Sequence, residues 1–519
     1  MQTVLLFISL FSMACASMPL AILHIKGPAG SADLCAIYNP HYSAIPMTLQ
    51  RTPLYKVFQP DPPDGCGDYV AINTTNSSSF VIASANCTPF KKFLHAYHAS
   101  AKQVIVISDT SSATDFPVGR SDQHEQVHIS VGMIAKRSWS AVKNKLGSPM
   151  YAQLYHPHDP LFDPNLIVIW LIAVFTVVVG SYWCGLTLQR SLEESDSSKK
   201  DEDEEGNDFP ITTVMVFIFI FMICTVLLLL YFFYKYLIFV VIGLFAIAAT
   251  SGTYECMSGL LSLLKCGQCR VPENNLPILK HQPEIRNIIL FFCCLALSIY
   301  WIVIRNTPYS WILQDFLGVC FCISLLKVIR LPNFKISMIL LLALLVYDIF
   351  FVFITPFFSA QGKSVMVEVA TGKGGNEQLP MVIRVPKVIK TALSLCERPY
   401  SILGFGDILL PGLFVAFCHN FDVIAKTKHK VYFIATSIAY GLGLCATFVA
   451  LMAMKVGQPA LLYLAPSVLL AATLVGCIRG EFKALWYGRV MESKHPDPDV
   501  MHSDDSIEKE KLLDHSRTP

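Results

Sequence analysis

From Asn165 onward the chain is a succession of long apolar runs separated by short polar breaks, and that pattern leaves few folds open. A helix rises 1.5 Å per residue, so crossing the hydrocarbon of a bilayer takes about 20 apolar residues. Nine runs approach that length: 165–187, 211–233, 236–257, 288–305, 311–327, 336–358, 394–418, 431–454 and 459–478. Of 519 residues, 53% are hydrophobic and only 15% charged; an ordinary soluble domain carries about 25% charged residues. With a mean hydropathy of +0.50, a soluble globular enzyme, a disordered chain and a disulfide-rich mini-protein are all excluded. The net charge of +2 provides no basic field, so no nucleic-acid partner is expected. Most of the 17 cysteines lie inside apolar runs, where a free thiol behaves as a small hydrophobe. The fold class is a polytopic α-helical membrane protein.

The first third of the chain reads differently. Val4 to Met13 is apolar but too short to span, and Ala14-Cys15-Ala16 suits signal peptidase, so residues 1–16 read as a signal peptide. Residues 17–164 are polar enough to fold in water and hold three N-glycosylation sequons, at Asn73, Asn76 and Asn86. The segment is therefore assigned to the lumenal side. Of its cysteines Cys35, Cys66 and Cys87, an oxidising lumen favours one disulfide and one leftover thiol, with Cys66–Cys87 the preferred pair. Helical spacing over Phe90–Ala101, followed by β-branched runs at Gln103–Ser108 and Val127–Val131, predicts a small α/β domain. His95 and His98 lack an acidic third ligand nearby, and a surface role is expected for both.

With a lumenal N-terminus, nine crossings put the C-terminus in the cytosol. The loop with Lys327, Arg330 and Lys335 is then cytosolic, as are Lys426, Lys428 and Lys430 and the post-span Arg479 and Lys483, in agreement with the positive-inside rule. The hairpins at Lys235, Arg305 and Lys455 are lumenal, with one positive charge each. Loop 359–390 runs against the rule, being lumenal yet carrying Lys363, Lys373, Arg384, Lys387 and Lys390. Residues 188–210, with the run Asp201–Glu205, read as an acidic cytosolic loop, and Cys266-Gly-Gln-Cys269 as a lone thiol pair, not a metal site.

Ionisable residues inside a membrane are costly and point to function. Glu255, Asp315 and Glu397 sit towards span ends, where capping, interface placement or the neighbouring Arg398 accounts for them. Asp348 and Asp407 instead fall in the middle of their runs, the sixth and the seventh. Two carboxyls that meet around a water share one proton, because like charges a few ångströms apart do not both ionise. Such a pair activates water on one side and polarises a peptide carbonyl on the other, with no metal or cofactor. Gly404 and Gly406 loosen the helix around Phe405 and let backbone approach a substrate.

The motifs around these residues form a pattern. Tyr347-Asp348, then Gly404-Phe405-Gly406-Asp407, then Pro459-Ala460-Leu461 match, in order, the YD, GxGD and PAL signatures of presenilin-type intramembrane aspartyl proteases. The whole architecture resembles the signal peptide peptidase-like 2 proteins, which share a signal peptide, a glycosylated lumenal protease-associated domain and nine spans. Presenilin itself fits poorly, since it lacks the first two of these and needs partner subunits. The resemblance implies that Asp348 and Asp407 are the catalytic dyad, within a core at 336–478, and that Pro459-Ala460-Leu461 shapes the substrate path beside them. It implies type II single-pass membrane proteins as substrates, no obligatory partner subunits, and compatibility with a homo-oligomer.

Two further expectations concern loop and tail. Val365–Val369 and Leu379–Val385, separated by Gly372, Gly374 and Gly375, read as a β-hairpin whose edge pairs with unwound substrate. In the cytosolic tail 479–519, Glu508 with Leu512 and Leu513 matches an acidic dileucine sorting signal, and Tyr487–Val490 a tyrosine-type one. With the resemblance, these favour late endosomes and lysosomes, then plasma membrane, and an A-type member over a B-type. The readings from other classes are a proton-coupled transporter using the two aspartates as a relay, and a catalytically silent receptor.

Overall fold

The computed structural model describes residues 20–40, 42, 44–60, 64, 66–67, 78–83, 87–108, 127–158, 163–197, 213–262, 284–358, 364–370, 372, 379–389, 391–396, 399–454 and 458–488. The expected signal peptide, the sequon asparagines Asn73, Asn76 and Asn86, the acidic run 201–205, the Cys266–Cys269 pair, Glu397–Arg398 and the dileucine at Glu508, Leu512 and Leu513 lie outside the described residues.

The N-terminal domain is a closed barrel. Its elements are β1 (Leu20–Gly27), β2 (Gly30–Tyr38), β3 (Tyr55–Phe58), β4 (Ser78–Ala83), α1 (Pro89–His98), β5 (Gln103–Ser108), β6 (Ser130–Ala135), α2 (Lys136–Leu146) and β7 (Tyr151–Tyr155). The strand order is β1-β2-β6-β5-β4-β3-β7, closing on β1. β4, β5 and β6 run parallel, as strands joined by long crossovers must, while the β1–β2 hairpin is antiparallel. Closure leaves no edge unpaired. The domain is thus β-rich, compatible with a protease-associated domain, with the expected helix and the Gln103–Ser108 strand in place. The third expected element, Val127–Val131, becomes a strand three residues later, at Ser130.

Two disulfides are present among the described residues. Cys66 bonds Cys87. Cys35 is not a leftover thiol: it bonds Cys396, 361 residues away in the membrane half. The sequence hides the partner because Cys396 falls within the apolar run 394–418. The disulfide has company. Leu393 packs against Ile22 and Tyr155 of the barrel, the Ser401 hydroxyl donates to Asp163 Oδ2 (2.9 Å), and the Val388 amide to Asn165 Oδ1 (3.4 Å). The barrel is therefore fastened to segment 388–401, and the two lie on the same side of any membrane.

The membrane half contains, in order, α3 (Asn165–Ser197), α4 (Thr213–Ser262), α5 (Ile285–Ile304), α6 (Ser310–Val328), α7 (Phe334–Ile349), α8 (Val365–Ala370), β8 (Val382–Pro386), a 3-10 turn (Ala392–Leu395), β9 (Tyr400–Gly404), α9 (Phe405–Ile424), α10 (Val431–Met454), α11 (Leu461–Ile478) and α12 (Phe482–Tyr487). Among the described residues eight helices are long and apolar enough to cross a membrane. The nine expected runs fit these eight because α4 takes two of them. Its 50 residues span about 75 Å at 1.5 Å each, against a hydrocarbon core of about 30 Å. Helical geometry breaks at Phe233 (φ −112°, ψ 29°), where the second run was expected to end.

Two expectations fail in the loop before α9. Val365–Val369 is helical, not a strand. Val365 and Val369 are four apart and both buried, so the same residues satisfy a helical stripe as well as a strand alternation. The start is set by Ser364 and Thr355: the Ser364 hydroxyl donates to Phe351 O (2.8 Å), and the Val365 amide to Thr355 Oγ1 (3.1 Å). β8 pairs antiparallel with β9 instead, with Ile383 opposite Leu403. The seventh run also begins later than expected. Residues 400–404 are strand, so α9 starts at Phe405 and not at 394.

α9 is the most enclosed of the eight helices. α3 lies along both α9 and α6. Polar groups bond across these apolar faces, as helices without a hydrophobic drive between them require. Ser181 Oγ donates to Gly412 O (3.2 Å), and Trp170 Nε1 to Gly441 O (2.8 Å). Glu255 is satisfied by Lys327 (3.6 Å) and by the Ser324 hydroxyl.

Candidate active site

Asp348 occupies the last turn of α7 and is 5% exposed. The helix then widens into a π turn over Phe350–Ile354 before continuing to Phe358. Such insertions cluster at functional sites because they re-aim side chains without ending a helix. No sequence signal marked this one. Tyr347 is half-buried, its ring 4.7 Å from that of Phe351.

Asp407 is the third residue of α9, not the middle of a helix. It is half-buried. Its setting comes from the strand before it. Gly404 ends β9 and Phe405 opens the helix, so the GxGD motif is a strand-to-helix junction. A Cβ on Gly404 would sit 3.5 Å from Asp407 Oδ2, whereas one on Gly406 would meet nothing within 4 Å. The glycines therefore leave space beside the carboxyl on one side and open ground on the other. Phe405 is the anchor: it is 3% exposed and stacks on Phe245 (6.2 Å, 23°). Its ring lies so close over Gly318 of α6 that a Cβ there would stand 2.1 Å from Phe405 Cζ. The Tyr440 hydroxyl reaches Asp407 O at 3.4 Å.

The third motif closes the site. Pro459, Ala460 and Leu461 are buried at the start of α11. Pro459 has no amide hydrogen, and the amides of Leu462 and Tyr463 donate back to Pro459 O and Ala460 O. The Leu461 amide stands outside that pattern and lies beside the Asp348 carboxyl. The positive end of the α11 dipole thus faces Asp348. α7 and α9 are in contact, and the Asp407 carboxyl lies within electrostatic reach of Asp348. All three motifs, spread over residues 347–461, converge on one place.

A family model described as signal peptide peptidase matches residues 198–492. The chain is 40% identical over 467 residues to signal peptide peptidase-like 2B of Mus musculus, covering 88% of this chain and 80% of that protein. The chain belongs to the signal peptide peptidase family. Signal peptide peptidase-like 2A of Homo sapiens is also 40% identical, over 90% of this chain and 89% of its own length. Signal peptide peptidase-like 2C of Mus musculus is 33% identical, over 88% and 72%. Membership in the like-2 branch makes this an intramembrane protease, while equal identity to 2A and 2B separates neither type.

Beside the motifs stand residues that motif reading passed over. Asp315 is not a cap but a buried side chain inside α6: it is 5% exposed, and its Oδ1 accepts the Arg384 amide of β8 (2.9 Å). Gln314 Nε2 donates to Val382 O (3.0 Å) and Pro380 O (3.3 Å). The signal was present in the sequence, as adjacent amide and carboxyl side chains inside an apolar run.

Proposed function

We propose that this protein is an aspartyl protease that hydrolyses peptide bonds inside the transmembrane segments of type II single-pass membrane proteins, after their ectodomains are shed, releasing intracellular domains. The observation that carries the reading is that α7 packs against both α9 and α11, with the Asp407 carboxyl within electrostatic reach of Asp348 beside the start of α11. Two like charges in one low-dielectric site do not both ionise, so the pair holds one proton. The ionised carboxyl takes a proton from water as its oxygen adds to the scissile carbonyl carbon. The protonated carboxyl donates to the carbonyl oxygen. A proton then passes to the amide nitrogen as the C–N bond breaks.

A helical substrate must first expose a peptide bond. In place of the expected hairpin of 365–369 with 379–385, β8 pairs with β9, and the edge offered to substrate is that of β9. The Phe405 amide bonds Met381 O and the Lys387 amide bonds Pro399 O, so odd-numbered residues of both strands face each other. The backbone groups of Val382 and Arg384 point outward, where Gln314 and Asp315 take them. On β9 it is Ile402 and Gly404 that point outward, immediately before Asp407. Ile402 is 39% exposed. An unwound substrate strand added there runs directly to the dyad.

The N-terminal domain is read as lumenal and glycosylated, with nine crossings, two of them in α4, and a cytosolic C-terminus. Loop 359–390 fits this reading, since it leads into the segment fastened to the barrel and its Arg384 turns inward to Leu379 O (2.7 Å). Tyr487 ends α12 at 67% exposure, and late endosomes and lysosomes remain the favoured location. The decisive experiment incubates the purified chain with a type II transmembrane peptide. Wild type cuts, while Asp348→Asn and Asp407→Asn fall by about 1,000-fold or more and no longer bind an aspartyl-protease transition-state mimic. Cleavage by either variant near the wild-type rate overturns the reading.

A further inference from the structure

α6 is an apolar helix that nonetheless buries Gln314 and Asp315, 3% and 5% exposed, one turn before Gly318. Burying an amide and a carboxyl costs several kcal/mol unless both are bonded. Their bonds do not go to another helix. Gln314 donates to two carbonyls flanking the start of β8, and Asp315 accepts the amide of Arg384 two residues on. Helix side chains here occupy the row of backbone groups that a further strand would otherwise occupy. Asp315 Oδ2 has no hydrogen-bond partner among the described residues, so its one hydrogen bond to the strand is the Arg384 amide, beside the attraction of the Arg384 charge.

The same face of α6 reaches the catalytic junction. Residues 314, 315 and 318 share one side of the helix. Gly318 receives the Phe405 ring, and Phe405 is two residues before Asp407. β8 holds β9 in register, and β9 runs without a break into α9. A strand that slips by one residue moves about 3.3 Å and turns every side chain to the opposite face. A slip in β8 would therefore be passed to the strand that presents the substrate and to the acid that cuts it.

We propose that Gln314 and Asp315 are positioning residues for the proteolysis inferred above: they lock β8 in register and close its outer edge, so that a substrate strand adds only at β9 and Asp407 meets one peptide bond. The inference rests on the protease reading for its consequence, but its structural core is testable without turnover.

The test uses the full-length protein with Gln314→Met, which keeps volume and removes the donor, and with Asp315→Ala and Asp315→Asn. Hydrogen exchange of the 381–385 amides is measured first. Exchange there should quicken in Gln314→Met and Asp315→Ala and stay as in wild type in Asp315→Asn, whose Oδ1 still accepts the Arg384 amide. Cleavage products of a type II transmembrane peptide are then mapped by mass. The first two variants should lose about 10- to 100-fold in kcat with little change in KM and spread the cut over neighbouring bonds. Asp315→Asn should keep the wild-type position and rate. Unchanged exchange and unchanged cut sites in Gln314→Met and Asp315→Ala would overturn the proposal. So would an Asp315→Asn as defective as Asp315→Ala, because the carboxyl would then be serving the Arg384 charge and not the strand. Exchange that behaves as expected in a wild-type protein that cuts nothing would instead sink the protease reading and leave the strand lock standing.

Discussion

The two halves of the site are built by different means. Asp348 belongs to a continuous helix, is deeply buried, and lies beside the start of α11. Its position is set by helix packing within the membrane half. Asp407 stands at a strand-to-helix junction, half-buried, flanked by glycines. Its position depends on β8, on α6 beneath Phe405, and on a segment bolted to the N-terminal barrel. The contrast teaches that one acid is fixed by helix packing alone while the other is aimed through a strand pair and a disulfide to the barrel. The second is where the N-terminal barrel can act.

The sharpest way to break that contrast is a proline at the outward edge of β9. Ile402→Pro removes an amide that points away from β8, a placement proline tolerates in an edge strand. Cleavage in a turnover assay should fall about 100-fold with the fold intact, which is tested by an unchanged melting temperature. Ile383→Pro, by contrast, breaks a paired and fully buried position, and the protein should fail to fold. Equal activity of Ile402→Pro and wild type would remove β9 from the substrate path.

On the Asp348 side, Leu461→Pro deletes the amide donor at a helix start, where proline is otherwise accepted. Set against Leu461→Ala, which keeps the donor, it should lose a further 10-fold or so in kcat, as expected for one hydrogen bond to a charged group. If the two variants are equally active, the α11 amide does not serve Asp348. Gly318→Ala should cost about 1–3 kcal/mol of stability through crowding of Phe405, read as a lower melting temperature, with a smaller loss of rate. Cys396→Ser is expected to act least on chemistry. It should lower stability by about 2–4 kcal/mol and change cleavage by about twofold. A loss of all cleavage would mean that the barrel does more than steady the Asp407 side.

How much of this was legible beforehand follows a physical line. Hydropathy, charge scarcity and the three motifs are written residue by residue, so the membrane class, the pair of acids and the order of their signatures could be read directly. The sequence alone determined that Asp348, Asp407 and Pro459-Ala460-Leu461 belong together. It could not say where α9 begins, because Tyr400–Gly404 is apolar enough for either helix or strand, and only pairing with Val382–Pro386 decides. Nor could it give Cys35 its partner across 361 residues, or make Val365–Ala370 helical when its pattern suits both periods. Those choices are free-energy differences between local options that nearly balance, and contacts made far along the chain tip them.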